Sequence, residues 1–323
     1  MHGDMLPAVI EPAGKRDGMP SLVASAGGNA RFAWDEWFSA EIRNPHTRRA
    51  YAHAVRQFLD WCESHMLALR DITPGSVGEY YDGLPASIST KKQHLSALRS
   101  FFDRMVLRHA MGLNPAASVR GERYTLTEGR TPQITVDQEK ALLASIQTDD
   151  IVGLRDRAIV AVLVYTAARI GAVAGLTVGS FAIADSQPIL RFLEKGGKVR
   201  EIPARSDLAA YLASYVDAAC LREVPADSPL FRRLSRKRNA LTEHAMTADG
   251  MGRMLKHRMA GIGLPGELSP HSFRVGAITD LLSQGVPLED VQNLAGHADP
   301  RTTRLYDRRQ KKVMRSVVEK ISV

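Results

Sequence analysis

The residues with the most chemical content lie between His271 and Tyr306. His271-Ser272-Phe273-Arg274 sets an imidazole and a guanidinium three residues apart, Gly296-His297 adds a second imidazole, and Tyr306 supplies a phenol. A guanidinium donates paired hydrogen bonds in a fork that matches the oxygens of a phosphate or carboxylate. A phenol with a pKa of about 10 is mostly protonated at neutral pH, so as a nucleophile it needs a base, and an imidazole suits that task. Upstream, Arg169 follows an apolar stretch, and Lys195 sits in Glu194-Lys195-Gly196-Gly197-Lys198. A bare His-x-x-Arg says nothing: with ten histidines and roughly one residue in ten an arginine, about one chance match is expected. Two decoys exist, His46 with Arg49 and His53 with Arg56, both in a long helical pattern where a solvated or phosphate-facing role is expected. Context separates His271 from them. Leu281-Leu282-Ser283-Gln284-Gly285, then Val291-Gln292-Asn293-Leu294-Ala295-Gly296-His297, then Thr302-Thr303-Arg304-Leu305-Tyr306 follow it in order.

Elements that could position these groups can be read from apolar periodicity. From Thr47 to Met66, Ala50, Tyr51, Ala54, Val55, Phe58, Leu59 and Cys62 recur at helical spacing after the turn at Pro45. A second helix is expected at about 74 to 83. A third runs from Ser89 to His109, with Leu95, Leu98, Phe101, Phe102, Met105 and Val106 on one face and Lys91, Lys92 and Arg99 on the other, where they meet phosphates or water. With a short helix around Trp34 to Ile42, these make a small helical bundle. Asp156 to Ala167 is apolar on nearly every side, as in a helix at the centre of a core. Ile189 to Leu193 and Val199 to Pro203 flank the Gly-containing turn with Lys195 and Lys198, which predicts a β-hairpin. Tyr51, Tyr165, Tyr211 and Tyr215 fit apolar helix faces and are expected in the core.

The chain of 323 residues exceeds the size at which single cores usually stop growing, so two domains are expected. The boundaries read as a disordered tail over 1–30, a helical domain over 31–113, a linker over 114–134, and a second domain over 135–323 ending in a helix over 311–323. That last helix has Val313, Met314, Val317, Val318 and Ile321 at helical spacing. No apolar run approaches the ~20 residues that span a bilayer, and the first thirty residues lack a secretory signal, so a cytoplasmic address is expected. Cys62 and Cys220 are the two cysteines and are read as buried free thiols, without a disulfide framework or Cys-based zinc site. The formal charge of +8 agrees with a polyanionic partner. The excess lies in the C-terminal part, where residues 119 onward carry thirty Lys/Arg against twenty-three Asp/Glu. Arg232, Arg233, Arg236, Lys237 and Arg238 form one basic cluster there; Arg308, Arg309, Lys311 and Lys312 form another.

Taken in order, these elements resemble the catalytic domain of the tyrosine site-specific recombinases, the integrase family. That family has an Arg after an apolar helix, a Lys in a β-hairpin, His-x-x-Arg ahead of Gly-His, and a nucleophilic Tyr nine residues beyond that His. Thr166-Ala167-Ala168-Arg169 with Gly175-Leu176 resembles the first box, and Glu194 to Pro203 resembles the hairpin. The match spans roughly 135 to 310, and the helical bundle resembles the family's SAM-like core-binding domain. The implied fold is mainly α with a small antiparallel β-sheet, a helical core-binding domain followed by an α+β catalytic domain. The implied site is Arg169, Lys195, His271, Arg274, His297 and the nucleophile Tyr306, with Lys91, Lys92, Arg99 and Lys198 as DNA-binding candidates. Of eight tyrosines, only Tyr306 stands at the family's interval from Gly-His.

By resemblance, Arg169 and Arg274 stabilise the charge that builds on the non-bridging oxygens of an attacked phosphodiester, His271 assists removal of the tyrosine proton, and the hairpin Lys protonates the departing 5′ oxygen. Lys195 maps to that role, with Lys198 its rival. A 3′-phosphotyrosine preserves the bond energy for rejoining, so neither ATP nor a metal is implied as cofactor. The implied partner is double-stranded DNA, held by a homotetramer on two sites or together with a related second recombinase, and the helix over 311–323 is expected to dock on a neighbouring protomer. The two-domain plan resembles the Xer proteins and the resolvases of plasmids and transposons. One departure stands out: three residues after the first Arg the family usually has an acidic residue that holds the active-site arginines, and here Ala172 takes that place. A type IB topoisomerase and an inactive DNA-binding module remain alternatives. A metal-dependent nuclease finds no compact ligand spacing to support it.

Overall fold

The computed structural model describes residues 18–122, 131–193, 197, 199–235, 237, 240–297 and 299–304. Tyr306, Lys195, Lys198 and the segment 311–323 lie outside the described residues. The chain divides into two compact units, Met1–Thr125 and Leu126–Val323.

The first unit is all helical: α1 (Ser21–Ser25), α2 (Gly28–Asp35), a π-helical turn (Glu36–Glu41), α3 (Pro45–Ser64), α4 (Pro74–Gly83) and α5 (Ile88–Leu107). Local chemistry sets each start. Asn44 accepts from the backbone N–H groups of His46 and Thr47 with Pro45 in the first turn of α3, and Thr73 with Ser76 forms a capping box at α4. Val55, Phe58, Leu59 and Cys62 of α3 meet Leu98, Phe101, Phe102 and Met105 of α5 in one core, each large side chain contributing about 1.5–3 kcal/mol of burial. Tyr51 packs half-buried against that core. Residues 21–30, expected in a disordered tail, instead form α1 and the start of α2. Burial of Val23 and Ala30 outweighs a composition rich in Gly, Ala and Ser. The start of the expected linker also belongs to this unit, with Ala116 fully buried.

The second unit surrounds one helix. α6 (Val136–Ser145) is followed by α7 (Ile151–Thr166), α8 (Ile170–Ala174), the antiparallel sheet β1 (Phe181–Ala184), β2 (Gln187–Leu193), β3 (Val199–Pro203), then α9 (Ser206–Ala218), the pair β4 (Arg232–Leu234) and β5 (Leu241–Ala245), α10 (Ala248–Gly261), α11 (Pro270–Ser283), α12 (Leu288–Ala295) and α13 (Pro300–Arg304). From Ala158 to Leu163 every residue of α7 is buried, as its all-round apolar sequence requires. Asp150 caps α7 through the Gly153 N–H at 2.7 Å, and Gly153 has no substitute because a Cβ there would lie 1.7 Å from the Gln147 carbonyl oxygen. Charge is buried beside this core. Each Asp156 oxygen takes two N–H bonds from one guanidinium, Oδ1 from Arg155 and Oδ2 from Arg258, while Arg155 also donates to the Arg232 carbonyl. The cluster ties α7 to α10 and β4.

Tyr215 is fully buried, and Tyr165 and Tyr211 pack half-buried against the same core. Cys220 departs from expectation: it is exposed, because α9 ends before it and Cys220 turns into the left-handed region at φ 52°. Cys62 is buried. Among the described residues, no helix is long and apolar enough to cross a membrane, and no group of three His, Cys, Asp or Glu side chains is placed to hold a metal ion.

Candidate active site

Four of the six residues singled out in the sequence fall within the described structure, and each sits where a helix starts or stops. α7 ends at Ala167, which takes the left-handed conformation at φ 50°, and the reversed chain places Arg169 at the N-cap of α8. α11 starts on a Ser269/Ser272 capping box with Pro270 in its first turn. His271 follows Pro270, and Arg274 lies almost one turn further on. α12 closes with Gly296 in the left-handed region at φ 64°, which suits a residue without Cβ, and delivers His297.

Arg274 is 1% exposed. Its Nη1 donates to the Ala167 carbonyl and its Nη2 to the Ala295 carbonyl, both at 2.6 Å. Those oxygens belong to the last turns of α7 and α12, where backbone acceptors have no helical partner and the helix dipole is negative. One guanidinium therefore joins the two helix ends from which Arg169 and His297 emerge. At position 172, where the resemblance implies an acidic residue that holds the arginines, the chain has Ala172, and two backbone carbonyls hold Arg274 instead. Ala172 itself packs against the hydrophobic core.

His297 is 7% exposed. Its Nδ1 lies 2.8 Å from Oγ1 of Thr303, a fully buried residue of α13, and its carbonyl accepts from Gln292 Nε2 at 3.0 Å. Burial lowers the His297 pKa to about 4, assisted by the charges of Arg274, Arg169, His271 and Arg200. The His271 imidazole is held below its ordinary range by desolvation first, then by Arg274 and Arg169. Two imidazoles thus share the field of the same two guanidiniums. Both shifts favour the neutral imidazole.

Two contributors escaped sequence reasoning. Thr303 fixes one ring nitrogen of His297, and Arg200 of β3 donates from Nη1 to the Leu294 carbonyl, a second arginine on the end of α12. Neither residue type carries a signal by itself. The spacing from Gly-His to Thr303 is the one sequence feature that points there.

Beside the site, Ile170, Asp249, Gly252, Arg253, Lys256 and Pro270 line an open groove between α8, α10 and α11. Ile170 and Pro270 are the immediate chain neighbours of Arg169 and His271, so the groove adjoins the catalytic candidates. In the first unit the lysines and arginine proposed for DNA are partly committed. Lys91 donates to the Asp82 carbonyl at 3.0 Å and lies over the Tyr81 ring. Arg99 donates to the carbonyls of Ala116 and Val119, bracing the chain as it leaves α5. Lys92 is half-buried on the same helix. A more basic face lies on α3: from Ile42 to Leu59 there are four arginines, two histidines and no acidic residue. Phe38, Pro45, Arg48, Arg49, Ala52 and Arg56 line a shallow depression there.

Comparison with known proteins agrees with this geometry. Residues 132–312 match the phage integrase family, and residues 34–109 match the N-terminal SAM-like domain of phage integrases. The chain is 27% identical over 278 residues to the tyrosine recombinase XerD of Shewanella oneidensis, covering 84% of this chain and 89% of that protein. It is 31% identical over 221 residues to XerC of Herpetosiphon aurantiacus, covering 68% of each. Among solved structures, the XerH site-specific recombinase bound to difH substrate in a pre-cleavage complex superposes with a TM-score of 0.66 at 18% identity, covering 93% of this chain and 94% of that one. A lambda integrase tetramer bound to a Holliday junction superposes with a TM-score of 0.60 at 15% identity, covering 93% and 85%. With its C-terminal unit matched along most of its length and its helical unit matched as well, the chain belongs to the phage integrase family.

Proposed function

We propose that this protein is a site-specific DNA recombinase that cuts and rejoins duplex DNA through a covalent 3′-phosphotyrosine at Tyr306. The observation that carries the reading is the Arg274 guanidinium bonded to both the Ala167 and Ala295 carbonyls, which joins the helix ends that deliver Arg169 and His297 to the helix that carries His271. Such a cluster is electropositive and partly desolvated, the setting in which hydrogen bonds to a phosphorane-like transition state are strongest. Arg169 and Arg274 donate to the non-bridging oxygens. His271, held neutral, accepts the phenolic proton as the Tyr306 oxygen bonds to phosphorus. The bond from phosphorus to the 5′ oxygen breaks, and Lys195 at the hairpin supplies the proton that the leaving oxygen takes up. One phosphoester replaces another, so the reverse step rejoins DNA by the attack of a 5′ hydroxyl on the phosphotyrosine.

The groove along α8, α10 and α11 and the acid-free stretch of α3 supply cationic surface to the duplex, each contact releasing counterions. Strand exchange between two sites is assigned to a homotetramer acting in the cytoplasm, by analogy with the Holliday-junction complex of lambda integrase. A nicked suicide duplex, which loses the strand end needed for rejoining, tests the central claim. Wild type accumulates a covalent protein–DNA adduct and Tyr306→Phe does not. Adduct formation by the Phe variant would remove Tyr306 from the mechanism, and relaxation of plasmids that lack a recombination site would shift the activity towards a topoisomerase.

A further inference from the structure

The hairpin formed by β2 and β3 and the turn that carries His297 come from distant parts of the chain, yet one side chain joins them. Arg200 is the second residue of β3 and pairs across the hairpin with Phe192 of β2, one step from the Leu193–Val199 pair that leads into the loop. Phe192 is fully buried, and the Arg200 guanidinium lies 5.1 Å from its ring centroid. Stacking against a fixed aromatic restricts where the guanidinium points. It points at α12: Nη1 donates to the carbonyl of Leu294, the residue before Ala295, whose own carbonyl receives Arg274. Two arginines therefore hold adjacent carbonyls at the end of α12, one arriving from the helix of His271 and the other from the hairpin. Arg200 is also among the charges that act on His297.

We propose that Arg200 is a positioning residue that sets the β2–β3 hairpin against the His297 turn, so that the hairpin lysine and His297 meet the same phosphate. The proposal rests on the reading of Lys195 as proton donor to the leaving 5′ oxygen. An error of about 1 Å in placing such a group costs up to about a hundredfold in rate. An arginine is required because it spans the ring of Phe192 and still reaches the carbonyl, whereas a lysine offers a compact ammonium with no planar face.

The leaving group provides the test. A 5′ bridging sulfur departs as a thiolate whose conjugate acid ionises near pKa about 8.5, so it needs no added proton. Single-turnover cleavage of nicked suicide duplexes with oxygen or sulfur at that position is compared for wild type, Arg200→Gln, Arg200→Lys and Lys195→Ala. On oxygen, Arg200→Gln is expected to be roughly thirtyfold slower than wild type, with Arg200→Lys between them. On sulfur both come within about threefold of wild type, since the proton that the hairpin delivers is no longer needed. Equal losses on the two substrates overturn the proposal, because Arg200 would then act on the attack itself or on folding alone. Lys195→Ala separates the two claims. Sulfur rescue of Lys195→Ala without rescue of Arg200→Gln defeats the positioning role only. Rescue of Arg200→Gln but not of Lys195→Ala retains the positioning role and moves the proton donor to another group of the hairpin. Should the Gln variant fail to fold, the Lys variant carries the same comparison.

Discussion

Arg274 caps the helix that presents the other arginine of the site: its Nη1 lies 2.6 Å from the carbonyl oxygen of Ala167, two residues before Arg169. The matching bond to Ala295 brings the end of α12 to the same guanidinium. A residue assigned to transition-state stabilisation thus also assembles the site. The proposed catalytic role would draw on the remaining donors of a planar group that has five N–H bonds.

Substituting Arg274 by Lys keeps the charge but cannot serve both carbonyls with the same geometry. Each charge-assisted bond to a buried acceptor contributes about 1.5–3 kcal/mol, so the urea midpoint of Arg274→Lys should drop clearly below wild type. Adduct formation should fall by more than about a hundredfold as the oxyanion loses a donor. Wild-type stability in the Lys variant would contradict the bridging role; lost stability with intact cleavage would contradict the catalytic one.

His297 makes stability depend on acid pH. In the unfolded chain its imidazole titrates near about 6.5, whereas in the folded chain its pKa is lowered to about 4 by burial and neighbouring cations. Between these values the unfolded state binds a proton that the native state excludes, so this contribution is full above pH 6.5 and is lost as pH falls towards 4. The loss is on the order of 3 kcal/mol at the lower end. His297→Gln removes the titration, so the stability of wild type relative to the variant should grow from pH 4 to 6.5 in urea unfolding. A difference that stays flat across that window would show that His297 is not held neutral.

How much of this could be read in advance depends on the kind of atom involved. His271, Arg274 and His297 were legible because their order and spacing are side-chain facts, and the long helices were legible because Phe58, Leu59, Phe101 and Phe102 recur at the helical period. The brace for Arg274 is not legible from residue type: Ala172 stands where the resemblance implies an acidic side chain, and the backbone carbonyls that hold the guanidinium leave no trace in the sequence. Arg200 was invisible for a related reason, since its meaning comes from a contact with Leu294, 94 residues away. The carbonyl partners of Arg99, Ala116 and Val119, are likewise backbone atoms 17 and 20 residues along the chain, with no mark in residue type.

A second titration runs the other way. Glu139 of α6 is 7% exposed and lies against Gly276 of α11, where an added Cβ would sit 3.1 Å from its Oε1. That oxygen has no hydrogen-bond partner among the described residues. Burial, with help from Asp280, raises the carboxyl pKa to about 8. The folded chain therefore retains a proton that the unfolded chain releases near pH about 4.5, and stability from this group falls as pH rises between those values. Glu139→Gln keeps the shape without the charge. Relative to wild type it should gain stability from pH 5 to about 8 and level off above that, a trend that urea midpoints would reveal, and a constant offset across the window would mean that the carboxyl is ionised in the native state.

The cationic surfaces make separable predictions in DNA binding. Arg49 on α3 and Arg253 on α10 are both exposed, and each borders a concave surface, Arg49 in the helical unit and Arg253 beside the catalytic candidates. A phosphate contact changes the salt dependence of affinity by about one unit of log–log slope and carries no base preference. Arg49→Ala and Arg253→Ala, each in the cleavage-deficient Tyr306→Phe background, should therefore weaken binding to cognate and unrelated duplexes by a similar factor and flatten the salt slope by about one. Lys91→Ala should change the slope less, because its ammonium is already held by the Asp82 carbonyl and the Tyr81 ring. Fluorescence anisotropy across a salt series measures all three. A variant of Arg253 that lost affinity for the cognate duplex alone would instead assign that side chain to reading a base edge, which would place α10 in the groove of the target site.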